Sequence, residues 1–69
     1  MTLSERQRRA LIVLRSHGNW MSSGHFGVRT NTLDSLQKKG LVEMRTRYHS
    51  LDFEYRIIDD GRRLLASLE

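Results

Sequence analysis

Arginine dominates the chemistry open to this chain of 69 residues: ten of its twelve cationic side chains are arginines, set against eight carboxylates. A guanidinium presents a planar fork of donors that matches paired acceptors, whether phosphate oxygens or the O6 and N7 edge of guanine. One segment gathers polar groups of this kind, with Arg29, Thr30, Asn31, Asp34, Ser35 and Lys38 spaced along what reads as the outer face of a helix. Arg29 suits guanine, the Asn31 carboxamide suits N6 and N7 of adenine, and the Asp34 carboxylate could accept from cytosine N4. An aspartate on a helix is, however, more often solvated or ion-paired, and it repels phosphates. A second group, Arg45, Arg47 and Arg56 on strand-like segments and His49 in the polar break between them, is suited to a phosphate backbone or the minor groove, or equally to a solvated face.

Other chemistries find little support. The chain has no cysteine, and its histidines, His17, His25 and His49, are scattered, so no metal site is expected. His49 and Ser50 are sequence neighbours rather than a nucleophile and its base, and neither paired carboxylates nor a phosphate-binding glycine loop occurs. We therefore expect neither an enzyme nor a bound cofactor. The formal charge of +4 leans towards nucleic acid but also lies in the range that keeps a small domain soluble. Trp20, Phe26, Tyr48, Phe53 and Tyr55 could stack on unpaired bases, although in so short a chain they are expected in the core. With no apolar run of membrane-spanning length and no leader-like N-terminus, a cytoplasmic location is expected.

The elements that position these residues read as an α+β domain spanning 1–69. Ser4-Glu5-Arg6-Gln7 fits a capping box, and the helix it opens carries Ala10, Leu11 and Leu14 as an apolar stripe before Gly18 stops it. Ile12 falls opposite that stripe, and Val13 lies at its margin. Residues 19–27, with Trp20, Met21 and Phe26, suggest a short helical turn. A further amphipathic helix turns Val28, Leu33 and Leu36 inwards and ends at Gly40. Two alternating segments then predict a two-stranded hairpin around 49–52. Val42, Met44, Thr46 and Tyr48 oppose Leu41, Glu43, Arg45 and Arg47; Phe53, Tyr55 and Ile57 oppose Glu54 and Arg56. Asp59 is placed to cap a last helix to Leu68 whose Leu64, Leu65 and Leu68 return to the core.

Two stretches, Leu33-x-x-Leu36-x-x-x-Gly40-Leu41-Val42-Glu43 and Tyr55-Arg56-Ile57-Ile58-Asp59-Asp60-Gly61-Arg62, resemble the winged helix-turn-helix family of bacterial and phage regulators. The resemblance covers essentially the whole chain. It departs in placing Ile58 where that motif usually has threonine, and in a short, glycine-rich second-helix region. It implies three N-terminal helices, a two-stranded wing and a short C-terminal helix. It also implies binding to double-stranded DNA as a transcriptional regulator or a phage excisionase, with the third helix in the major groove. The alternative is a winged-helix protein-interaction module, such as a phage-encoded inhibitor of a host protein. Ile12, Val13 or Leu65 would then serve a protein partner or a second copy in a homodimer.

Overall fold

The structure, a computed structural model, describes residues 2–22, 28–46 and 53–69. Its element order is α1 (Glu5–His17), β1 (Met21–Ser22), α2 (Thr30–Lys38), β2 (Val42–Thr46), β3 (Phe53–Ile57) and α3 (Asp59–Leu68). This is an α+β fold of three helices on a three-stranded antiparallel sheet of order β1-β3-β2. No helix among the described residues is long and apolar enough to cross a membrane.

Helix α1 begins where the sequence predicts. The Gln7 amide donates to the Ser4 hydroxyl at 3.1 Å while the Gln7 side chain accepts from the Ser4 amide at 2.9 Å, so two orphan donors are satisfied reciprocally. Ala10, Leu11 and Leu14 are buried. Ile12 and Val13 are half-buried and pack against the same core. Leu33 and Leu36 of α2 are fully enclosed, and Val28 is buried just before it.

Helix α2 closes with two backbone bonds, from Gly40 to the Gln37 carbonyl at 3.0 Å and from Leu41 to the Leu36 carbonyl at 3.1 Å. This pairing needs a left-handed residue between them, and Gly40 supplies it at φ 75°. Its consequence is that Leu41 is driven inwards, 3% exposed, instead of lying on the charged side of the hairpin as alternation alone predicts. The Leu41 carbonyl then accepts from the Ile58 amide, tying the start of the hairpin to its end.

The hairpin register pairs Val42 with Ile57, Met44 with Tyr55 and Thr46 with Phe53, so the residues expected to share a face do share it, although Thr46 and Phe53 are exposed. Tyr48, with the polar break around 49–52, lies outside them. The sheet, however, has a third strand where a helical turn was expected. Met21 pairs with Tyr55 and Ser22 with Glu54, which makes β3 the central strand with partners on both edges. The physical reason is burial: in this register Met21 drops its side chain into the core at 2% exposure, which a solvent-facing turn would not achieve. The remainder of that stretch, including Phe26, lies outside the described residues. Two helices, rather than three, therefore precede the hairpin among the described residues.

Helix α3 starts one residue earlier than expected. Ile58 is its extended N-cap and makes no side-chain capping bond, while Asp59 and Asp60 occupy the first turn, where their charge meets the positive end of the helix dipole. Leu65 is fully buried and Leu64 packs against the core, but Leu68, at 46% exposure, faces outwards near the end of the helix. Phe53 likewise sits at 40% exposure rather than in the core.

Gly61 sets how closely α3 approaches the hairpin. A Cβ at this position would lie 2.2 Å from the Leu41 carbonyl oxygen and 2.9 Å from Ile57 Cγ1. Gly61→Ala should therefore lower stability by about 2–3 kcal/mol despite alanine's better helix propensity of roughly 1 kcal/mol. Thermal denaturation followed by circular dichroism should show the melting temperature falling by about 10 °C or more. An unchanged melting temperature would contradict so close an approach.

Candidate functional site

Six residues were expected on the outer face of α2, and the structure divides them. Arg29, Thr30, Asn31 and Lys38 are exposed. Arg29 is the N-cap of the helix and makes no capping bond through its side chain. Asn31 and Lys38 stand seven residues apart, two turns along the side opposite Leu33 and Leu36.

Asp34 and Ser35 depart from that expectation, being half-buried and engaged within the fold. The Tyr55 hydroxyl donates to Asp34 Oδ1 at 2.9 Å, joining α2 to the central strand. Ser35 Oγ donates to the Thr32 carbonyl at 2.7 Å and accepts from Gln7 Nε2 at 2.9 Å, joining α2 to α1. One flank of α2 is thus bonded to the sheet and the other to α1, leaving the face between them clear. Sequence alone shows that these residues are polar, but their partners lie 21 and 28 positions away and nothing local points to them.

The arginines expected along the hairpin are occupied as well. On the face of the sheet away from the core, Arg45 pairs with Glu54 at 2.9 Å and Arg56 with Glu43 at 2.8 Å. Both guanidiniums lie over the Trp20 ring, at 4.3 Å and 4.7 Å from its centroid, within cation–π range. Trp20 is consequently half-buried beneath arginines instead of belonging to the core. The alternation of Trp20 with Met21 is the local signal that could have placed it on the outer face, once that segment is read as a strand. Arg47 and His49 lie outside the described residues.

A groove runs between α1 and the beginning of α2, lined by Arg6, Arg9, Ala10, Val13, Val28, Arg29 and Thr32. Arg9 is linked to Glu5 at 2.9 Å, one helical turn away, in a pair that is largely exposed and contributes little to stability. Arg6 and Arg29 have no ionic partner among the described residues. Elsewhere on α1, Ile12, Val13, Ser16 and His17 line a shallow, mostly apolar hollow. Leu65 is fully enclosed, so it offers nothing to a partner surface. Among the described residues no group of His, Cys, Asp or Glu is arranged to hold a metal ion.

Comparison with protein-family models, with curated proteins and with solved structures returns no match for this chain.

The Tyr55 hydroxyl is held protonated. Burial, with the Asp34 carboxylate as acceptor and neighbouring negative charge, pushes its pKa up from 10.0 to about 12. The folded state therefore holds this proton more tightly than the unfolded chain does. The associated stability is present below pH 10 and is lost as pH rises from 10 to about 12, by on the order of 3 kcal/mol. Denaturant melts of the native protein across this range should show that decline, whereas Tyr55→Phe should start about 1–2 kcal/mol less stable at neutral pH and lack this component of the alkaline decline. Parallel alkaline curves for the two proteins would contradict the proton's placement.

Proposed function

We propose that this domain is a DNA-binding module of the winged-helix type, with the exposed side of α2 in the major groove of a duplex. The observation that carries this is the division of charge. Among the described residues, the cations without a carboxylate partner are Arg6, Arg8, Arg29, Lys38, Lys39 and Arg62, and all but the last lie on α1, on α2 or at its caps. The sheet arginines, by contrast, are neutralised by Glu43 and Glu54.

On this basis Asn31 is the best-suited base reader, with Thr30 and Lys38 beside it, and a carboxamide in that position favours adenine. Asp34 drops out, because its carboxylate already accepts a hydrogen bond from the Tyr55 hydroxyl. Arg45 and Arg56 serve the sheet first, and a wing contact to phosphate would require them to leave their pairs. Such a domain would act by occupying or bending its site, as a transcriptional regulator or an excisionase-like architectural factor does. A protein-interaction module is the second reading; the Ile12 and Val13 hollow favours it.

Binding to random-sequence duplex DNA at about 50 and 200 mM salt tests the proposal. With roughly four phosphates neutralised, log affinity should fall against log salt with a slope of about −3.6, a loss of about 150-fold across that interval. Asn31→Ala should leave that slope unchanged and weaken the preferred site by about 1–3 kcal/mol relative to random sequence. Absence of binding at 50 mM salt would remove DNA as the partner and leave the protein-partner reading.

A further inference from the structure

We infer that the groove between α1 and the start of α2 is a phosphate clamp: it grips the backbone of one DNA strand beside α2, through Arg6, Arg9 and Arg29. This rests on the DNA-binding reading and assigns the backbone contacts that the reading leaves open.

The geometry of a helix in a major groove requires flanking contacts. With its side chains a helix is about 10–12 Å across and the groove about 12 Å wide, so both sides of an inserted helix run against phosphate walls. The two flanks of α2 differ sharply in what they offer such a wall. On the sheet side stands Asp34, a carboxylate that repels phosphate. On the α1 side stand three guanidiniums around a shared depression, with Thr32 at its edge.

Two of the three need break no ion pair to do so, since Arg6 and Arg29 have no ionic partner among the described residues. The third, Arg9, is held only by the exposed Glu5 and can exchange that carboxylate for a phosphate. The walls are also fixed in place. The Gln7 side chain bonds Ser35 across the two helices, one residue from Arg6, so α1 and α2 present their arginines as one surface. Ala10 and Val28 of its lining are buried and Val13 half-buried, whereas Arg6, Arg9 and Arg29 are exposed, so their guanidiniums can present paired donors to the non-bridging oxygens of a phosphodiester.

The test is the salt dependence of duplex binding for Arg6→Ala/Arg29→Ala. Removing two phosphate contacts should make the slope shallower by about 1.8, while the sequence preference selected from a random library stays the same. Arg6→Lys/Arg29→Lys should retain the wild-type slope. Arg62→Ala/Arg63→Ala removes the same formal charge from α3 and should also retain it. Circular dichroism melts establish that all variants fold.

A wild-type slope in the alanine variant would overturn the clamp while leaving DNA binding by the domain intact. So would an equal loss of slope in the α3 control, which would mark the effect as net charge alone. If the wild-type protein shows no salt-dependent binding to duplex, the DNA reading fails and takes the clamp with it. An acidic peptide then becomes the occupant to be tried in the groove.

Discussion

The hydroxyl of Tyr55 is the polar atom on which the arrangement of this domain turns. Tyr55 is among the largest side chains that the fold encloses completely, and it sits on the central strand with Met21 on one side and Met44 on the other. Burying its ring contributes substantially to so small a core, but the hydroxyl would be a penalty there without a partner. Asp34 is that partner. Because the acceptor comes from α2, the bond fixes how that helix sits on the sheet, and with Gln7 and Ser35 on the opposite flank the helix is held from two sides. Its clear face therefore follows from constraints on its two occupied ones.

Charge is distributed in keeping with that arrangement. In a domain with an excess of arginine, each guanidinium is either paired within the fold or left to solvent. The sheet takes the first course, with two cross-strand carboxylates and an indole ring absorbing Arg45 and Arg56. On α1, on α2 and at its caps, Arg6, Arg8, Arg29, Lys38 and Lys39 have no carboxylate partner among the described residues. Composition gives the total but not the partition, because a guanidinium beside a carboxylate and one beside solvent look identical in a sequence.

What the sequence revealed followed the range over which each signal acts. The capping box at Ser4, the stripe of Ala10, Leu11 and Leu14, and the alternation of the hairpin strands are local, and each is present. The errors share one cause, which is tertiary contact overriding a local pattern. Met21 and Ser22 form a strand because β3 offers an edge and the core a cavity. Leu41 turns inwards because the left-handed Gly40 redirects the chain. Ile58, not Asp59, caps α3, because the Leu41 carbonyl holds the Ile58 amide in extended backbone. The same limit applies to the candidate site. Its residue types were legible, but the withdrawal of Asp34 and Ser35 into the fold, and the meeting of Arg6 and Arg9 with Arg29, depend on which sides of the helices face each other.

The cross-strand pairs of Glu43 with Arg56 and Arg45 with Glu54 also act during assembly of the sheet. A slip of one residue between β2 and β3 would turn the apolar face of one strand towards water, which already excludes it. A slip of two preserves the faces and is the more dangerous error. In one direction it would set Glu43 against Glu54, and in the other Arg45 against Arg56, so each alternative opposes like charges where the native alignment opposes unlike ones. Four alternating charges thus bias the hairpin against misalignment, and Arg45 and Arg56 are spent on proofreading the fold.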